Sequence, residues 1–264
     1  MINESFKKLY IKTKKILITR QLLNQIIAKN VLLKIVYIIA GIDLKKSSAK
    51  CKTVDDYVNL ALSYQYFLFN RYPFVVLAAL QKKTEITKFF RELLSIRPKV
   101  ILEIGTANGG CLFLLSKFSS PDALFISVDL PVEPYIGGFD YKNKSFYKSF
   151  ATNNQKMVLI RRDSHDLSTL QKVKKILKNK QIDVLFIDGD HTYEGVRKDF
   201  EMYAPLVKKN GLIAFHDIVV VDPKIEKNNE VNKFWNKIKE NFQYLEIVED
   251  WNQGWAGIGI IKKN

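Results

Sequence analysis

From residue 99 onward, short apolar runs alternate with stretches in which apolar residues recur every three or four positions. The runs at 99–103, 123–129, 157–161, 182–188 and 211–216 are aliphatic and largely β-branched, the composition of strands buried on both faces. Helical stripes separate them. One joins Leu167, Leu170, Val173, Ile176 and Leu177, the next Val196, Phe200, Tyr203, Ala204 and Val207, and a third Val231, Phe234, Trp235, Ile238 and Phe242. Two final runs, 244–249 and 255–261, follow one another directly and predict a hairpin. Alternating strands and helices with short connections predict an α/β fold, a largely parallel seven-stranded sheet with helices on both faces.

Ahead of residue 99 the pattern is helical. Leu22, Leu23, Ile26 and Ile27 share one face, and 31–42 is strongly apolar. Lys29 and Lys34 interrupt that run, so it falls short of the roughly 18 uncharged residues of a spanning helix. A polar break at 45–52 predicts a boundary. Residues 1–52 form a helical N-terminal extension, and 53–264 form the main domain with lead-in helices at 53–69 and 77–96, Thr84 and Glu85 offering a capping site in the second. The extension either packs on the core or another subunit, making a homo-oligomer, or lies on a membrane surface; packing is the favoured reading.

Charge sharpens the second alternative. The chain carries +15, and residues 1–52 hold twelve Lys or Arg against two acids, a net +10. A basic end suits an anionic partner, phospholipid or nucleic acid, about as well as it suits a lysine-rich solvated surface. The two cysteines, Cys51 and Cys111, make no disulfide framework, and the start has no secretory leader pattern. Both point to a cytoplasmic protein, with attachment to the membrane periphery left open.

The chemistry begins at ILEIGTANGGC, residues 101–111. A buried strand ends in Glu103, and Gly105, Gly109 and Gly110 lead into a helix, the geometry that brings bare backbone to a ligand. The spacing E-x-G-x-x-x-G differs from the dinucleotide fingerprint. It resembles motif I of the class I S-adenosylmethionine (SAM) methyltransferases. That resemblance implies that Glu103, Gly105, Thr106 and Gly109 hold SAM, and that the fold is the Rossmann-like methyltransferase sheet. Asp129 closes the second strand, where an acid can accept the ribose hydroxyls. Asp163 and Ser164 follow the third strand, where family members approach the adenine. Helix capping is an almost equal reading for Asp163, and Asp166 competes for that cap.

A second stretch is more specific. FIDGDHTYEGVRKDFEMYAPLVKKNGLIAFHDI, 186–218, resembles the small-molecule O-methyltransferases grouped with macrocin O-methyltransferase and the cephalosporin-hydroxylase-type proteins. The likeness extends over about 77–261. Its metal-dependent members bind magnesium through the first acid of D-x-x-H and an acidic pair after the fifth strand. Here these are Asp188 and the pair His216–Asp217, so a divalent cation, Mg²⁺ or another, is expected on Asp188, Asp217 and His216, with Asp190 an alternative neighbour. All three histidines, His165, His191 and His216, fall at predicted strand ends. His191, three residues after Asp188, suits a general base that takes a proton from a hydroxyl acceptor. The aromatic loop 131–150 is expected to cover substrate.

These readings predict a SAM-dependent O-methyltransferase for a small polar acceptor, with Asp188 and His191 catalytic. The rivals are an RNA methyltransferase and a non-catalytic SAM-binding adaptor at a membrane. The charge suggests RNA, but the chain has no N-P-P-[YF] motif for base-amine chemistry.

Overall fold

The computed structural model describes residues 30–68, 72–131, 144–152 and 154–264. The helix expected around Leu22–Ile27 and the middle of the 131–150 loop lie outside the described residues.

The seven strands of the main sheet are β3 (Val100–Ile104), β4 (Leu124–Asp129), β5 (Lys156–Arg161), β6 (Ile182–Ile187), β7 (Val207–His216), β8 (Gln243–Ile247) and β9 (Ile258–Lys262). They lie in the order β5-β4-β3-β6-β7-β9-β8. The first five in that order are parallel; β9 is antiparallel to both β7 and β8. The expected seven-stranded α/β sheet is therefore present, and the final hairpin inserts its second strand next to β7. Every residue of β3 is buried, Glu103 included, as expected of a central strand covered on both faces.

One face of the sheet is covered by α6 (Leu167–Leu177), α7 (Tyr193–Tyr203) and α8 (Val231–Ile238), whose stripes meet Leu102, Ile126, Leu185 and Ile213. The other face carries α1 (Asn30–Ser48), α2 (Val54–Ser63), α3 (Lys83–Ile96), α4 (Gly110–Phe118) and α5 (Lys144–Lys148). Val36, Tyr37, Ala40 and Leu44 of α1 belong to the same core as Val58 and Phe113, so the boundary expected at 52–53 falls between two helices of one shared core.

Two local expectations need correction. The helix drawn over 53–69 stops at Ser63. Residues 65–68 form β1 (Gln65–Leu68), paired with β2 (Tyr72–Val76). Aromatic and β-branched residues there favour a two-stranded ribbon over a helix. The next helix begins at Lys83 rather than 77, and Thr84 and Glu85 do not cap it. At the end of the 131–150 loop, Phe146, Tyr147 and Phe150 are buried in the core.

Helix α2 starts with a capping box, Thr53 Oγ1 accepting from Asp56 N and Asp56 Oδ2 from Thr53 N. Thr53→Ala is expected to cost about 1 kcal/mol, read as a lower urea midpoint at unchanged slope.

Candidate active site

The chain runs from β3 outward to β5, then returns to β6 on the other side of β3. Crevices outside the carboxyl ends of strands at such a reversal are where open α/β sheets bind ligands. Here the crevice is tight. Gly105 follows β3 with φ +88°, and a Cβ on it would lie 1.9 Å from the Asp188 carbonyl oxygen at the end of β6. Asp188 N donates to the Ile104 carbonyl at 2.9 Å, and Gly105 N to that of Val128 at 2.9 Å, so three strand ends are laced together by backbone. Gly109, φ +77°, faces the Tyr147 ring, whose hydroxyl donates to the Ala107 carbonyl at 3.0 Å. The tail of the 131–150 loop thus supports the glycine turn from below.

Glu103 lies under this turn, fully buried, and neither carboxylate oxygen has a hydrogen-bond partner. Burial drives its pKa well above the carboxylate range, and the charges of Asp129 and Asp188 add to the rise. Thr106 turns its hydroxyl inward to that of Ser127, and both hydroxyls lie beside Glu103, where they oppose the rise in its pKa. Asp129 Oδ2 accepts from Thr106 N and Ala107 N, both at 2.8 Å, and Oδ1 from Leu130 N at 2.7 Å. Burial still raises its pKa against these three donors.

Asp163 and Ser164 stand on the turn after β5. Asp163 Oδ1 accepts from His165 N, an Asx turn rather than a helix cap. Asp166 occupies the cap position of α6 without a side-chain bond. The Ser164 carbonyl accepts from the Tyr203 hydroxyl at 2.6 Å. His165 does not join the other two histidines. Its Nε2 lies 3.1 Å from the Gly195 carbonyl and 3.2 Å from Oδ1 of the fully buried Asp199, clamping the turn to α7.

His191 and His216 do come together, around Asp188 and Asp217. His216 Nδ1 lies 3.1 Å from Asp188 Oδ1 and 3.2 Å from Asp217 Oδ1. Burial lowers the His216 pKa, but the two carboxylates overcome this and push it up to about 9. His191 Nδ1 is 2.9 Å from Glu226 Oε2 and 3.7 Å from Asp217 Oδ2, and its Nε2 is 3.5 Å from Asp188 Oδ1. Burial again opposes protonation, and Asp188, Glu226 and Asp217 together hold the His191 pKa well above its ordinary value. Asp188 would be raised by burial, yet the two imidazoles keep it below the usual carboxylate range. Asp190 is not part of the cluster: it accepts from Thr192 N and Oγ1 at the start of α7.

Four participants escaped the sequence reading. Gln81 Nε2 donates to Asp188 Oδ2 at 3.1 Å. Glu226 and Asn229 come from the loop before α8, Asn229 Nδ2 donating to Asp217 Oδ2 at 2.7 Å. Glu85, buried in α3, accepts from Glu249 N, Gly257 N and Gln253 Nε2. It thereby holds the loop whose Ala256 N donates to Asp217 Oδ1 at 3.0 Å. Nothing in their local spacing marks Gln81, Glu226 or Asn229. An acid at 85 on an otherwise apolar helix face was the one available signal.

Two expectations follow. Gly105→Ala should cost about 3 kcal/mol or more, because the methyl meets backbone and φ is positive; a wild-type urea midpoint would show that the strand ends separate easily. His165 has a raised pKa, chiefly from Asp199, so its stabilisation is full below its unfolded value of about 6.5 and fades as pH rises through the folded one. The stability difference between wild type and His165→Gln should therefore shrink from acid to alkaline pH in paired denaturation series. A difference that grows with pH would contradict the pairing.

A family model described as a methyltransferase domain matches residues 102–218. An uncharacterized protein of Acanthamoeba polyphaga mimivirus is 34% identical over 117 residues, 44% of this chain and 50% of that protein. One from Sinorhizobium fredii is 26% identical over 129 residues, 48% of this chain and 14% of its own length. The chain thus spans half the length of the first of these relatives and less of the second. Among solved structures, a Staphylococcus aureus protein assigned as a caffeoyl-CoA O-methyltransferase superposes with a TM-score of 0.50 at 20% identity, covering 70% of this chain and 85% of that one. Sheet order, glycine turn and matched segment agree: residues 102–218 are similar to a methyltransferase domain, and the chain shares the fold of that Staphylococcus aureus protein.

Proposed function

We propose that this chain is a SAM-dependent O-methyltransferase acting on a hydroxyl of a small polar molecule, a sugar, glycan precursor or natural product. One observation carries the reading. A buried acid and a glycine turn lie on one side of the crevice, and a cluster of carboxylates and imidazoles lies on the other.

The site fits the cofactor. Glu103, beside the Ser127 and Thr106 hydroxyls, makes no well-formed hydrogen bond, and Gly105 and Gly109 hold positive φ with no side chain over the turn's backbone. Glu103, Gly105, Thr106 and Gly109 would hold the methionine part of SAM. Asp129 would take the ribose through Oδ1, which keeps an acceptor site beyond its bond from Leu130 N, Oδ2 being filled by Thr106 N and Ala107 N. Asp163 and Ser164 would border the adenine. When bound, SAM supplies a methyl group made electrophilic by its sulfonium.

The remaining task is to orient the acceptor and remove its proton. His191 suits it. Glu226 at 2.9 Å fixes Nδ1 and favours the imidazolium that forms, while Nε2, at the longer 3.5 Å from Asp188, is the nitrogen that turns to the acceptor. Asp188 then orients both. A divalent cation, Mg²⁺ or another, would be held by Asp188 and Asp217 with His216 beside them, and would lower the acceptor pKa. A second assignment has its own support: ligand atoms of His191, Asp217 and Glu226 lie within 4.8 Å of one another. In that arrangement His191 is a ligand and not the base. The RNA alternative rests on charge alone.

Calorimetry should show S-adenosylhomocysteine binding at micromolar Kd, about 7–8 kcal/mol, weakened at least about tenfold by Asp129→Ala. No heat with wild type would sink the reading. In a screen of hydroxyl acceptors, His191→Ala should keep that binding and lose about 10²–10⁴ in turnover. Full turnover after chelation would remove the cation. Loss of cation binding in His191→Ala would favour the second ligand set.

A further inference from the structure

Helix α1 is apolar around most of its circumference, an arrangement that calls for burial on more than one side. Its inner side is accounted for: Val36, Tyr37, Ala40 and Leu44 are buried, and the Tyr37 ring lies 5.9 Å from that of Phe74. The outer side is not. Ile35, Ile38, Ile39 and Ile42 are 46%, 50%, 44% and 50% exposed. At 3.6 residues per turn, these four form one ridge. Lys34 and Lys45 flank it on one edge and Lys46 continues its line one turn beyond Ile42, all three exposed. The one acid of residues 30–52, Asp43, stands at the second edge, half-buried and held by the Tyr64 hydroxyl at 3.0 Å. The exposed crest is therefore isoleucine, with lysine along one edge and at its end.

We propose that this face of α1 is a docking surface for an anionic phospholipid bilayer, the isoleucines entering the acyl boundary and the lysines meeting headgroup phosphates. Charge complementarity selects this occupant. In sequence the segment 1–29 adds seven Lys or Arg against one acid, and Lys50 and Lys52 follow the helix, so residues 1–52 carry a net +10. A second copy of the chain suits the ridge less well. A two-fold antiparallel pairing of α1 would set Lys34 of one copy against Lys45 and Lys46 of the other, with the one acid, Asp43, at the opposite edge of each. The helix lies on the surface and does not cross it, since no helix among the described residues is long and apolar enough to span a membrane. The inference is independent of the methyl-transfer reading.

The test is co-sedimentation of the full chain with vesicles of phosphatidylcholine, with and without phosphatidylserine, at low and high salt. Wild type should pellet with the anionic vesicles at least about tenfold more tightly than with the neutral ones, and salt should weaken this. Ile38→Gln with Ile42→Gln, and separately Lys34→Glu with Lys45→Glu and Lys46→Glu, should each lose most of that binding. Their thermal midpoints should stay near wild type, because all five side chains are exposed. Wild-type binding that ignores phosphatidylserine overturns the proposal. So does undiminished binding by the isoleucine variant, which would assign it to 1–29 alone. A wild-type dimer in sedimentation velocity that the isoleucine variant converts to monomer also overturns it, in favour of a second copy.

Discussion

Two strand ends meet at the reversal point of the sheet with no room for a side chain between them. Gly105 after β3 lies against the carbonyl of Asp188 after β6, and the neighbouring amides donate across the gap. This closeness is a backbone property, and it places chemistry. Because β3 and β6 converge there, Glu103, Asp129 and Asp188 lie near enough to influence one another's protonation. A bulkier residue at 105 would spread the strand ends and separate the two halves of the crevice.

Asp217 has a comparable role on the opposite side. It sits at φ +63°, a left-handed conformation that aspartate tolerates better than most residues. There one oxygen faces His216 and Ala256 N, and the other faces Asn229 and His191. A single strained residue thus joins β7, the loop before α8 and the 249–257 loop. Three carboxylates, Asp188, Asp217 and Glu226, surround two imidazoles, and each sign stabilises the other in a partly dry space. Glu85, more than 150 residues away in sequence, holds one of these loops from within α3. The rim is consequently a tertiary assembly in which few members depend only on their own element.

The N-terminal helix shows the same division between core and surface. Packing on the core and facing outward were competing readings of one apolar run. In the fold they are two sides of α1, the inner one closed by Tyr37, Ala40 and Leu44 and the outer one still apolar.

Strand and helix alternation, the glycine turn and the acids at strand ends were all legible in the chain, because each is a local pattern. Buried parallel strands need continuous apolar runs, covering helices need a stripe, and a tight turn before a helix needs glycine. The same locality explains the failures. Residues 64–68 suit helix or strand in isolation, and pairing with 72–76 chose strand. Three histidines at strand ends looked alike, yet the buried carboxylate of Asp199 drew His165 to α7, and Asp188 and Asp217 drew in His191 and His216. Gln81, Glu226 and Asn229 carry no local signature, since what makes them part of the site is the distance to groups brought near by packing. Periodicity reports which face of an element is buried; only the folded chain sets which charges end up facing each other.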